Sequence, residues 1–198
     1  MYQGDAFFNI YLELIDGAKT QIELETYIFA TDSLGKEVLS ALEKAVQRGV
    51  QVRLLVDGFG SLPWLFQLRQ ECLVRSIDLR VYHPVIFFTR INKRDHRKVL
   101  IVDQQQIMIG SFNVIELHSE RRTGSLTWRD SGIYLDYSNN LVEAKPLGPI
   151  PNYEVNFLTQ AFNKTWSNSL GFGHLFSLPF SQFIKSLFAK VFLSLIHI

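Results

Sequence analysis

The sequence predicts an α/β domain in which a mixed or parallel β-sheet is covered by helices. Strand-like segments at 22–28, 50–56 and 77–82 alternate with helix-like segments at 34–46 and 63–75. Strands joined through helices imply right-handed crossovers and a sheet layered by those helices. The chain is also long and apolar enough for one compact core, with 198 residues of which 47% are hydrophobic.

Each element has its own signal. Phe7, Phe8, Tyr11, Leu14 and Ile15 recur at helical spacing within 4–20. Ile22, Leu24, Thr26 and Ile28 alternate with Glu23, Glu25 and Tyr27, which reads as a strand. Asp32 or Ser33 caps a helix that turns Leu34, Val38, Leu42 and Val46 inward and ends at Gly49. Residues 50–56 form a second strand, 63–75 a helix and 77–82 a third strand. A further strand is expected at 130–137, and a helix at 152–166 with Val155, Leu158, Phe162 and Trp166 inward. Gly58 and Gly60 do not complete a dinucleotide fingerprint.

The carboxy-terminal stretch differs in character. No acidic residue follows Glu154, and Phe recurs at 172, 176, 180, 183, 188 and 192. From Ser181 an apolar stripe (Ile184, Leu187, Phe188, Val191, Leu195) faces Gln182, Ser186, Lys190 and Ser194. The run is too short to cross a hydrocarbon core, which takes about 20 apolar residues. It suits either a cationic helix lying in a membrane surface or a core or linker helix. Two regions are therefore expected, a domain over 1–170 and a Phe-rich tail over 171–198 that stops inside its apolar pattern.

Charge and cysteine content narrow the classes. A net charge of +1 argues against binding nucleic acid by bulk electrostatics. Cys72 is the single cysteine, so no internal disulfide exists. Met1–Asp5 carries neither the basic nor the apolar part of a secretory signal, which predicts an intracellular chain.

The chemistry concentrates between Arg94 and Asn113. Two apolar runs, 97–102 and 107–109, flank Asp103–Gln106 and predict a hairpin. An even turn centred between Gln104 and Gln105 sets Lys98 opposite Ser111 and His96 opposite Asn113, four polar groups on one face. A three-residue turn shifts this register. On the hairpin alone Asp103 reads as structural, because it lies five residues beyond Lys98. Imidazole can act as nucleophile or as acid–base, Lys98 supplies positive charge, and Ser111 and Asn113 add neutral donors. Such a set suits a phosphoryl oxygen that gains charge in a transition state. The five histidines lack metal-ligand spacing, so neither a metal nor another cofactor is expected.

The pattern His96-x-Lys98-x4-Asp103-x6-Gly110-Ser111-x-Asn113 resembles the full signature of the phospholipase D superfamily. Residues 24–29, 48–58 and 128–130 resemble the first half of a bacterial cardiolipin synthase. The resemblance covers residues 3–167 and implies a phospholipase D-like mixed sheet flanked by helices. It implies a metal-free transfer in two steps through a phosphohistidine, for which a second motif supplies the partner histidine. His96 would be the nucleophile or its acid partner, and Lys98, Ser111 and Asn113, beside Gly110, would hold phosphate oxygens. Asp103 would support the motif, and Asp130 would orient the histidine ring. Arg94 and Arg97, with Arg90 and Lys93, would form a cationic rim for anionic headgroups.

This sequence carries one such motif and no other His-x-Lys. The second motif is expected from a carboxy-terminal half or from a homodimer partner, so a single chain is expected to be incomplete as an enzyme. The first reading is a phosphatidyltransferase acting on anionic phospholipid, peripheral on the cytoplasmic side of the cell membrane. The alternatives are a homodimeric, metal-independent phosphodiesterase acting on nucleic acid, which the missing basic groove disfavours, and a non-catalytic membrane-binding module.

Overall fold

The computed structural model describes residues 4–84, 94–138 and 153–171. The Phe-rich tail beyond 171, Arg90 and Lys93 lie outside the described residues, and so do the expectations that rest on them. Among the described residues five α-helices, α1 (Gly4–Gly17), α2 (Ser33–Gln47), α3 (Leu65–Val74), the short α4 (Glu120–Thr123) and α5 (Tyr153–Asn168), accompany a seven-stranded sheet. Its strands are β1 (Gln21–Thr26), β2 (Gln51–Asp57), β3 (Asp78–Tyr82), β4 (Val99–Val102), β5 (Gln106–Gly110), β6 (Gly132–Asp136) and β7 (Leu170–Gly171). The spatial order is β6-β5-β4-β1-β2-β3-β7. β1, β2 and β3 run parallel, and every other pairing is antiparallel. The sheet is therefore mixed, as expected for an α/β chain of this pattern.

Strand alternation assigns two cores. One face turns Ile22, Leu24, Leu54, Val56, Val81 and Leu100 toward Phe7, Phe8 and Tyr11 of α1, Leu39 and Leu42 of α2, and Leu68 and Cys72 of α3. The other face places Leu55 against Phe162 and Trp166 of α5, and Val99, Ile101 and Ile107 beside Leu158. Burial of both faces is why β1, with two glutamates, is nevertheless buried along almost its whole length. Glu23 is offset by an ion pair with Arg53, which also lies over the rings of Phe162 and Trp166. Asp32 is the α2 cap, its side chain accepting from the Gly35 amide at 3.0 Å.

The β4–β5 hairpin departs from the expected register. Val99 faces Ile109 and Val102 faces Gln106, so three residues, 103–105, make the connection. Asp103 and Gln104 both have positive φ, 52° and 55°, and the Gln105 amide donates to the Val102 carbonyl at 3.0 Å. This is the φ signature of a type I′ turn with Gln105 as one extra residue. Lys98 consequently meets Gly110, whose amide donates to the Lys98 carbonyl, rather than Ser111.

Candidate active site

The parallel strands β1 and β2 end at the same edge of the sheet, and antiparallel β4 begins there, with Glu25 opposite Val99. Ligands of α/β sheets bind at the carboxyl ends of their strands, and here that end gathers Tyr27, Asp57 and the stretch 94–98. His96 is exposed, with its ring centre 4.6 Å from that of Tyr27. Lys98 is buried, only 6% exposed. Its Nζ donates to the His96 carbonyl at 2.6 Å and lies 3.0 Å from Nδ1 of the same residue. An ammonium can only donate, so this contact makes Nδ1 the acceptor and leaves the proton of a neutral ring on Nε2. Lys98 also sits 5.3 Å from the Tyr27 ring centre. Burial brings its ammonium down to about 8, against the opposing pull of Asp130, Asp95 and Asp57.

Two further residues of the motif are held by backbone groups of their own neighbours. Asn113 is buried, and its Oδ1 accepts from the Ile28 amide at 3.0 Å. That leaves its NH2 group as the end able to meet a phosphate oxygen. Ser111 is exposed and exchanges hydrogen bonds with the Ser131 backbone, 3.2 Å in each direction. Gly110 permits this approach, because a Cβ there would stand 2.4 Å from the Ser131 carbonyl oxygen.

Asp103 lies elsewhere. Its carboxylate accepts from the amides of Lys19, Thr20 and Gln21 and from the Thr20 hydroxyl, at 2.8–3.0 Å. These bonds hold it below the usual carboxylate range. It therefore serves the start of β1, whereas Tyr27 lies six residues on, roughly 20 Å along extended chain.

Arg97 is also turned away from Lys98. It pairs with Glu25 at 2.8 Å and Asp95 at 2.7 Å and donates to the Thr165 hydroxyl. Its charge is met inside the fold instead of facing a headgroup. Arg94 lies 3.8 Å from Asp57 and 5.0 Å over the Phe59 ring.

Asp130, expected to orient the reacting histidine, faces a different imidazole: His118 Nδ1, 3.5 Å away. His118 is fully buried, edge-on to Phe112 at 5.4 Å and Trp128 at 5.8 Å. Burial lowers its pKa, with Asp130 pulling the other way. In the sequence, His118 shows only the absence of ligand spacing. Its surroundings come from residues six before and ten after it, and the Trp128-Arg-Asp130 segment was the one available pointer.

Comparison with known proteins decides the family. The family model described as cardiolipin synthase, PLD-like domain, matches residues 11–122. The chain belongs to this phospholipase D-like family. It is 31% identical to the cardiolipin synthase of Clostridium perfringens over 133 residues, 66% of this chain and 28% of that protein. It is 34% identical to cardiolipin synthase B of Salmonella typhi over 119 residues, 58% of this chain and 29% of that protein. The chain thus spans under a third of the length of these relatives. Among solved structures it resembles the phospholipase D family member Nuc from Salmonella typhimurium, with a TM-score of 0.63 and 20% identity. That likeness covers 83% of this chain and 90% of that one, and it concerns the fold.

Proposed function

We propose that the chain is one motif-bearing half of a phosphatidyltransferase of cardiolipin-synthase type, its substrate an anionic phospholipid at a membrane surface. The observation that supports it is the pairing of an exposed imidazole with a buried ammonium, His96 and Lys98, at 3.0 Å. In this reading a ring nitrogen of His96 attacks phosphorus, and the bond from phosphorus to the headgroup oxygen breaks. A second histidine, from a missing half or a partner copy, gives the departing alkoxide its proton. A second headgroup hydroxyl then attacks the phosphohistidine, losing its proton to that second histidine and freeing His96. Lys98, Ser111 and the Asn113 amide would hold the phosphoryl oxygens as charge builds on them. Asp130 would act next to Lys98, and Arg94 would form the cationic part of the rim. The Phe-rich tail, by its sequence, would rest on the membrane and keep the protein peripheral.

The test is the product of the complete gene, offered phosphatidylglycerol vesicles. Cardiolipin formation that disappears in His96→Ala supports the reading, and no cardiolipin from either protein overturns it. The second reading, a homodimeric phosphodiesterase, draws on the likeness in fold to the Nuc structure, which covers 83% of this chain and 90% of that one. Metal-independent cleavage of single-stranded DNA, lost in His96→Ala, would favour it.

A further inference from the structure

Residues 94–98 carry the chemistry, yet they belong to no strand. A free stretch of this kind costs about 1–2 kcal/mol of backbone entropy per residue to hold still. Apart from the Gly110 amide, which donates to the Lys98 carbonyl, strand pairing starts at Val99, so side chains do most of the holding. Two buried carboxylates are placed for it, at the ends of the two parallel strands that converge on the site.

Asp57, the last residue of β2, has a side chain with no exposure. Its Oδ2 accepts from the Asp95 amide at 3.1 Å, immediately before His96. Its Oδ1 accepts from the amides of Phe59 and Gly60 at 2.8 and 3.0 Å. Gly60 in turn packs so closely on Tyr27 that a Cβ would fall 2.3 Å from the Tyr27 carbonyl oxygen. One carboxylate therefore reaches His96 by two routes, through the backbone at Asp95 and through the aromatic ring that His96 lies against.

Glu25, in β1, works from behind. Its Oε1 accepts from Arg97, the residue immediately after His96, and Arg97 also grips Asp95 through both carboxylate oxygens. The residue before the imidazole is thus tied to a buried acid through its backbone amide and the residue after it through its side chain, and both acids are buried.

We infer that Asp57 and Glu25 are positioning residues that fix the stretch 94–98 and so set the His96 ring against Lys98. This rests on reading His96 as the reacting imidazole. Burial and the neighbouring Asp95 push Glu25 well up from the usual carboxylate range, while Arg97 and Glu25 hold Asp95 down to about 2. Glu25 therefore keeps its proton at neutral pH and donates to Asp95. A glutamine at 25 can make the same two contacts, one as acceptor and one as donor.

The experiment follows the His96 ring nitrogens by NMR in the 198-residue chain, the signal assigned with His96→Gln. The wild type should show a single tautomer with the proton on Nε2. Asp57→Asn and Glu25→Ala, checked for folding by circular dichroism, should lose that single-tautomer signature. Glu25→Gln should keep it. Wild-type ring signals in folded Glu25→Ala or Asp57→Asn overturn the inference, as does a disturbed ring in folded Glu25→Gln. The readout needs no lipid turnover, so absence of cardiolipin synthesis bears on the proposed function alone.

Discussion

Two aspartates close the two ends of the central parallel pair, and they do opposite kinds of work with the same chemistry. Asp103 gathers three amides and a hydroxyl at the entrance to β1. Asp57 gathers three amides at the exit of β2. The first belongs to the sequence motif and lies far from the imidazole, whereas the second is outside the motif and stands one residue from it. Membership of a motif therefore says that a residue is needed, and geometry says whether it is needed by the fold or by the site.

The largest expected effect separates the site from both. Lys98→Met keeps the length of the side chain and removes the charge. In the complete enzyme it should lower turnover by about 10²–10³-fold, the scale for losing one donor to a charged transition state. Stability should fall by about 0.5–1.5 kcal/mol, since the His96 carbonyl loses the ammonium that donates to it. Turnover of the wild type should also fall as pH rises through about 8, where Lys98 gives up its proton. Below that pH the charge is present, so the loss is on the alkaline side. A phosphatidyltransferase assay against pH, with urea melts of both proteins, checks the pair of expectations.

The next effect inverts the pattern. Asp103→Ala strips four hydrogen bonds from a charged acceptor and should cost about 1.5–3 kcal/mol of stability. Activity per folded molecule should hardly change. The folded-state pKa of Asp103 lies below its ordinary value, so its contribution is present above that value and lost as pH falls through the lowered one. The variant should accordingly show a flatter acid limb in stability measured from pH 6 downward. If Asp103→Ala instead abolished turnover in a stably folded protein, the contrast between the two aspartates would collapse.

Much of this fold was legible because periodicity reports it directly. The helices around Leu34–Val46 and Phe7–Ile15 and the strands at Ile22 and Val52 follow from spacing alone. The hairpin register was not, since it depends on whether the turn holds an even or odd number of residues. Asp-Gln-Gln-Gln gives no glycine to mark where the left-handed residues fall. The joint presence of His96 and Lys98 was readable from their two-residue spacing. Arg97 between them is turned away from Lys98, and its partners Glu25 and Thr165 come from segments 72 and 68 residues distant. Glu25 looked like the polar half of an amphipathic strand. It is buried because α5, more than a hundred residues later, covers that face.

The smallest expected effect tests the turn at the Asp103 end without touching its hydrogen bonds. Gln104 is exposed and held at φ 55°, a conformation that disfavours any residue with a Cβ. Glycine adopts it freely, although its unfolded chain has more entropy to lose. Gln104→Gly should therefore stabilise the protein by about 0.5–1 kcal/mol, seen as a higher urea midpoint with unchanged slope. The Asp103 carboxylate keeps its four partners, and the stretch 94–98 sits at the far end of β4, so turnover and the His96 ring signals should match the wild type. A Gln104→Gly protein with altered His96 signals would mean that the turn and the site communicate along β4. In that case the two ends of the sheet are not independent, and Asp103 would act on the imidazole through the strand that joins them.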